Sequence, residues 1–315
     1  MSIVYNGNKD SRQFKDVIAK TISELIEKDE NVVWLDADLM GCSGTLSCLG
    51  TNDRYINCGI AEANMIGIAA GLSASGMKPF AHTFGPFASR RVFDQVFLAG
   101  AYAKNPMTII GTDPGITAAY NGGTHMPFED MALYRSIPES TVIDISDAPT
   151  LSWFMKEAIN MPGVKYIRVP RKDSVQIYSD DHDFKVGKGE VLVEGNDGVI
   201  IASGIMVAEA LVAATNLEKE GIKVAVIDPV TVKPLDVELI RSYAEKTGKV
   251  VVCNNHNKIG GLVEAVSFAI AGIKCDFSYV AVEDEFGEVG AVPYLRERFN
   301  LTNDHIEDIF KSWYK

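Results

Sequence analysis

Glu62 heads the segment Gly59-Ile60-Ala61-Glu62-Ala63-Asn64-Met65-Ile66-Gly67-Ile68-Ala69-Ala70-Gly71-Leu72, which is otherwise almost entirely small and apolar. Such a segment reads as a helix packed on most of its sides, so its one charge sits either at a rim or in a buried position. A buried carboxyl resists ionisation and can hold or donate a proton at neutral pH. A carboxylate in a helix's first turn is instead stabilised by the helix dipole and by solvent, and Glu62 taken alone fits either description. Phe84 and Phe87 flank Gly85-Pro86 where a strand passes into a helix. In a parallel sheet such turns lie at the carboxyl edge, where ligands bind, so the two rings can stack on a planar heterocycle or simply cap the core. A Gly- and Asn-rich loop from Thr112 to His125 follows another strand. Long irregular loops there tend to be functional, and His125 is placed either to reach a substrate or as a surface histidine.

The elements that must position these groups are legible from periodicity. Ser11 is placed to cap a helix carrying Phe14, Val17, Ile18, Ile22, Leu25 and Ile26 at helical spacing. Short apolar runs at 31–36, 78–83, 107–111, 141–145 and 165–169 read as buried strands, separated by the Glu62 helix, an aromatic-rich helix over 86–102 and a helix over 148–160. The polar, aperiodic stretch 174–189 is a boundary, after which strands at 191–194, 198–202, 223–227, 249–253 and 277–282 alternate with further helices. An Asn196-Asp197-Gly198 turn signal predicts a hairpin joining the first two of these. Strands alternating with helices imply α/β architecture: two domains with mostly parallel sheets flanked by helices. The predicted boundaries are 1–175, a linker over 176–189, and 190–315.

Composition narrows the class. The chain has 315 residues, 47% of them hydrophobic, and a formal net charge of −12 without a basic stripe, which argues against nucleic acid as a partner. No apolar run is long enough to span a bilayer, and the amino terminus lacks the pattern of a signal peptide. The five cysteines have no CxxC spacing, and the five histidines are scattered. No metal site is therefore expected from sequence proximity, and a reducing, cytoplasmic location is.

Taken in order, Asp36-Ala37-Asp38-Leu39, Arg54-Tyr55-Ile56-Asn57-Cys58-Gly59-Ile60-Ala61-Glu62, Lys78-Pro79-Phe80-Ala81-His82-Thr83-Phe84, Gly122-Gly123-Thr124-His125-Met126-Pro127-Phe128-Glu129-Asp130, His256-Asn257-Lys258-Ile259-Gly260-Gly261-Leu262 and Phe286-Gly287-Glu288-Val289-Gly290 resemble the carboxy-terminal half of transketolase over nearly the whole chain. The resemblance implies a pyrimidine-binding domain followed by a transketolase C-terminal domain. The implied reaction moves a two-carbon ketol unit from an anionic ketose to an aldose with thiamine diphosphate. Glu62 matches the carboxyl that hydrogen-bonds N1′ of the aminopyrimidine. Phe84 and Phe87 match its aromatic pocket, with Asp38 and Leu39 beside them and Arg90 where a tyrosine is frequent. His125 matches a substrate histidine near the reactive carbon, and Arg171 an arginine that grips the distal anion. His82, Asp113 and Asn121 fall on the substrate side. Asp113 departs from the histidine common in sugar-phosphate transketolases and Asn121 from an aspartate, which points to a specialised ketose such as a branched-chain or sulfonated sugar.

The family's Gly-Asp-Gly…Asn motif for Mg2+ and diphosphate is missing. Gly195-Asn196-Asp197-Gly198 only imitates its opening and has no Asn-rich partner at the right spacing. The expectation is therefore a split enzyme: an amino-terminal transketolase subunit supplies the Mg2+ site, the assembly is α2β2, and this chain alone neither binds the cofactor tightly nor turns over. A 1-deoxyxylulose 5-phosphate synthase-like subunit, a 2-oxo acid dehydrogenase E1 β-like subunit and a non-catalytic scaffold are the alternative readings.

Overall fold

A computed structural model describes residues 3–314. Its main sheet has seven strands, in the spatial order β12 (Thr231–Lys233), β6 (Thr141–Asp144), β7 (Val164–Val169), β5 (Met107–Thr112), β4 (Lys78–Phe84), β2 (Val32–Asp36) and β3 (Tyr55–Asn57). All of its pairings are parallel except β12 with β6. The second sheet runs β14 (Asp276–Val282), β13 (Lys249–Asn257), β10 (Gly198–Ala202), β11 (Val224–Asp228) and β9 (Glu190–Val193), with only β9 antiparallel. A small ribbon pairs β1 (Lys9–Gln13) with β8 (Asp173–Val175). Every residue of β2, β5, β6, β7, β10 and β11 is buried. That is why these strands read as continuous apolar runs rather than alternating ones: helices cover both faces of a parallel sheet.

The two-domain α/β expectation holds, with four local differences. Ser11 lies in β1, and the helix Phe14–Lys28 starts behind Gln13 with no side-chain cap, its buried stripe at 14, 17, 18, 21, 22, 25 and 26 carrying it instead. The single helix expected over 86–102 is broken into a turn at Gly85–Ala88, a 3₁₀ turn at Arg90–Val92, a short α segment and a π-helical stretch at Val96–Tyr102. The break is a competition for acceptors: the Tyr134 hydroxyl takes the Ala88 carbonyl at 2.5 Å, and the Ser89 hydroxyl takes that of Gly85 at 2.7 Å. The hairpin at Asn196-Asp197-Gly198 does not form, since β9 and β10 lie on opposite sides of β11 and the turn crosses its end, its 196 and 197 amides bonding to Lys223 O. Finally β12, from beyond the boundary, pairs with β6 of the first sheet.

A buried cluster locks the domains together. Arg168 on β7 pairs with Asp130 and Asp144 at 2.9 and 3.1 Å, and its third nitrogen donates to the Asn255 carbonyl at 2.6 Å. From the second domain, Ser203 and Asn254 donate to the same Asp144 carboxylate. Burial disfavours the guanidinium's charge, but the two carboxylates outweigh it, and the Arg168 pKa ends up raised.

Candidate active site

The carboxyl ends of β2, β4, β5 and β7, with the helix Glu62–Ala74 that follows β3, deliver the sequence-marked side chains to one edge of the first sheet. This is where a parallel sheet opens a crevice. Glu62 begins its helix with its side chain only 5% exposed and pairs with Arg91 at 2.9 Å. The Arg91 guanidinium lies 3.9 Å over the Phe87 ring. Phe87 meets His125 edge-on at 5.1 Å, His125 meets Phe84 at 5.8 Å, and the two phenylalanines are 6.3 Å apart. Arg171 lies 4.9 Å over Phe84 and pairs with buried Asp113. Glu62, Arg91, Phe87, His125, Phe84, Arg171 and Asp113 thus form one contiguous chain of contacts. Beside it opens a cleft of about 920 Å³, lined by Phe87, Arg90, Arg91, His125, Phe286 and Gly287 among others.

The remaining expected residues take differing positions. Arg90 turns away from Phe87 to pair with Glu129 at 3.2 Å and to donate to the Thr124 carbonyl. Asp38, in a left-handed conformation, exchanges hydrogen bonds with Asn57, whose oxygen also accepts from the Gly59 amide. Asn57, not singled out from sequence, therefore ties the Asp38–Leu39 turn to the turn that launches Glu62. Leu39 is half-buried, and its amide donates to Asp36. Asn121 is exposed on the outer part of the loop.

His82 differs from its expected substrate contact. It is fully buried, stacked on Trp34, with Nδ1 2.7 Å from the Asp36 carboxylate and Nε2 3.2 Å from the Thr112 hydroxyl. A carboxylate only accepts, so Nδ1 is the donor. Asp36 in turn accepts from the Leu39 amide, so His82 is tied to that turn through Asp36.

The second domain holds the His125 loop. Asn255 at the end of β13 accepts from the Ile116 amide at 3.0 Å and donates to the Pro114 carbonyl, while the Asn257 amide donates to the Phe128 carbonyl. Gly122 has φ +73°, and a Cβ on Gly123 would run into the Gly287 carbonyl. The Gly-Gly pair before Thr124-His125 is therefore needed both for a left-handed turn and for close approach of Phe286-Gly287. Phe286 itself stands 94% exposed at the cleft's rim. Sequence reasoning missed Arg91 and gave no individual role to Asp36 or the Phe286-Gly287 rim, although both stand in the segments that carry the resemblance; Arg91 had a signal in its position next to Arg90 and four residues after Phe87.

This edge can hold the pyrimidine half of thiamine diphosphate: a sheltered carboxyl for a ring nitrogen and an aromatic face. Among the described residues, no three His, Cys, Asp or Glu side chains converge as a metal site.

Comparison with known proteins bears on the same edge. Residues 10–175 match the family model "Transketolase, pyrimidine binding domain", and residues 187–306 match "Transketolase, C-terminal domain". The chain is 45% identical over 295 residues to the 6-deoxy-6-sulfo-D-fructose transketolase subunit SqwH of Clostridium sp. (strain MSTE9), covering 93% of this chain and 91% of that one. It is 36% identical to the transketolase of Mus musculus over 80% of this chain but only 41% of the mouse protein. A solved structure described as a split gene transketolase, inactive beta4 tetramer, superposes with a TM-score of 0.87 at 34% identity, covering 96% and 98% of the two chains. Both family domains follow one another along nearly the whole length, and the likeness to the SqwH subunit and to the split gene structure runs through both: this chain belongs to the transketolase family.

Proposed function

We propose that this chain is the pyrimidine-binding, catalytic subunit of a two-chain transketolase that moves a two-carbon ketol unit between an anionic ketose and an aldose. The observation that carries the reading is the sheltered Glu62 beside Phe87, Phe84 and His125 at the open edge of the sheet. Bound thiamine diphosphate supplies the carbon nucleophile and electron sink of such a transfer. Glu62 holds a hydrogen bond at the pyrimidine N1′, Phe87 and Phe84 exclude water from the ring, and His125 moves or holds a proton on the sugar hydroxyls. An amino-terminal subunit supplies the Mg2+ and diphosphate contacts. The assembly is α2β2, with the cofactor between unlike chains, and works in the cytoplasm. Among the described residues no helix is long and apolar enough to cross a membrane.

Arg171 is the group for the sugar's distal anion, and its pairing with Asp113 favours a singly charged sulfonate over a doubly charged phosphate. The sulfofructose named for the relative SqwH supports the same substrate class. The test is reconstitution with the partner chain. Glu62→Gln should leave assembly intact and lower ketol transfer by two or more orders of magnitude; a fully active Glu62→Gln complex would reduce the chain to a scaffold.

A further inference from the structure

Arg91 makes two contacts at once. Its Nη1 donates to Glu62 Oε1 at 2.9 Å, and the face of its guanidinium rests on Phe87 with the central carbon 3.9 Å from the ring centroid. The side chain is 46% exposed, whereas that of Glu62 is 5% exposed. Arg91 therefore closes the Glu62–Phe87 corner from the solvent side. Arg90, its neighbour, is committed elsewhere, to Glu129 and the Thr124 carbonyl. The split follows from the backbone break at Ser89 (φ −116°, ψ −88°), which puts both arginines on a 3₁₀ turn and aims them in different directions.

A guanidinium is flat, carries N–H donors on its edge and stacks on aromatic faces. An aminopyrimidine protonated at N1′ is likewise flat, and its N1′–H and 4′-amino group place N–H donors on its edge. On the proposed function, the ring needs an aromatic face at Phe87 and a donor contact to Glu62, which are the two contacts Arg91 now makes. Two planar groups cannot share one ring face and one carboxylate oxygen.

We infer that Arg91 is a placeholder for the cofactor's aminopyrimidine: its contacts to Glu62 Oε1 and to the Phe87 face must break, and its side chain must swing into the cleft, for the cofactor to load. The inference rests on the proposed function. The placeholder keeps a poorly solvated carboxylate paired and covers a ring face. Its cost is competition, because every loading event breaks the stacking and the ion pair. Removing Arg91 should therefore tighten cofactor binding, which separates this role from that of an ordinary binding residue.

Two measurements test it. In the complex reconstituted with its amino-terminal subunit, thiamine diphosphate affinity is measured by calorimetry at saturating Mg2+ for the wild type, Arg91→Gln and Arg91→Lys. Displacement predicts about tenfold tighter binding for Arg91→Gln and a smaller gain for Arg91→Lys, which keeps the charge but not the plane. With the isolated chain, 4-amino-2-methylpyrimidine is followed by ligand-observed NMR. It should bind Arg91→Ala, be competed off by millimolar guanidinium, and bind the wild type more weakly. Unchanged or weaker cofactor binding in Arg91→Gln, with circular dichroism showing an intact fold, overturns the placeholder, as does equal pyrimidine binding by both isolated chains. The underlying reading fails separately: only then does Glu62→Gln leave cofactor affinity and transfer untouched.

Discussion

Arg171 reaches a single oxygen of Asp113 with two nitrogens, Nε at 2.6 Å and Nη2 at 2.5 Å, and Asp113 is itself buried. Burial works against the guanidinium's charge, but the Asp113 contact more than offsets it and raises the Arg171 pKa. The pair beside Phe84 is therefore a held cation with its charge largely answered. At an effective dielectric of 20, unit charges 4 Å apart interact by about 4 kcal/mol, so a second negative charge on the ligand meets Asp113 at a substantial cost. Asp113→Asn should raise kcat/KM for a phosphorylated ketose relative to its sulfonated counterpart by about tenfold or more. Parallel progress curves on the two donors check this, and a lowered ratio would count against charge as the basis of selection.

His125 lies between the Phe84 and Phe87 rings, with Nδ1 2.9 Å from the Thr124 hydroxyl. Its substitution by alanine in the reconstituted complex should lower kcat by roughly 10²–10⁴-fold, the range typical of a positioned acid–base group. Cofactor affinity should change little by comparison. Steady-state kinetics and calorimetry on the same preparation separate the two effects.

Arg168 is the hub of the domain contact, and its removal leaves Asp130 and Asp144 buried without their cation. Breaking such a pair from one side costs about 3–5 kcal/mol. Arg168→Met should accordingly lower the denaturant midpoint sharply, and chemical unfolding by fluorescence measures it. Replacing Arg168, Asp130 and Asp144 together by apolar residues should recover part of the loss.

His256 sits in the same cluster, 3.8 Å from Asp130, its Nδ1 donating to the Asn257 carbonyl at 2.8 Å. Burial, with Arg168 and Arg135 adding to it and Asp130 opposing it, pushes its pKa down to about 4 from 6.5. Between those values the unfolded chain binds a proton that the folded chain refuses. Stability is therefore lost as pH falls from 6.5 towards 4, by about 3 kcal/mol from this group at the lower end, and is unaffected by it above 6.5. Urea midpoints of the wild type and His256→Gln should converge at low pH relative to their separation at pH 7.5.

Legibility from sequence followed the range of the interactions. Buried strands and the Phe14–Lys28 stripe were readable because the periodicity of burial is a local property. The convergence of Glu62, Phe84, Phe87 and His125 at one sheet edge was readable because each lies at a strand's end or beside its turn. The break after Ala88 was not, since the hydroxyl that takes its carbonyl comes from Tyr134. The hairpin at Asn196-Asp197-Gly198 failed for a related reason: a turn signal speaks for two strands, but β11 enters between them from further along the chain. His82 looked like a ligand contact until Asp36 and Thr112 claimed both of its nitrogens. Arg91 gained its meaning only from Glu62, 29 residues away.

The strand β12 has a mechanical consequence. It belongs by position to the second half of the chain yet edges the sheet of the first. Cutting the polypeptide between its two family regions would strip that sheet of its last strand and bare β6 to whatever edge it next encounters. The recognisable sequence modules are therefore not the units that melt. Thermal or mechanical unfolding should engage both halves in one cooperative event, and fragments ending near residue 175 should aggregate rather than fold.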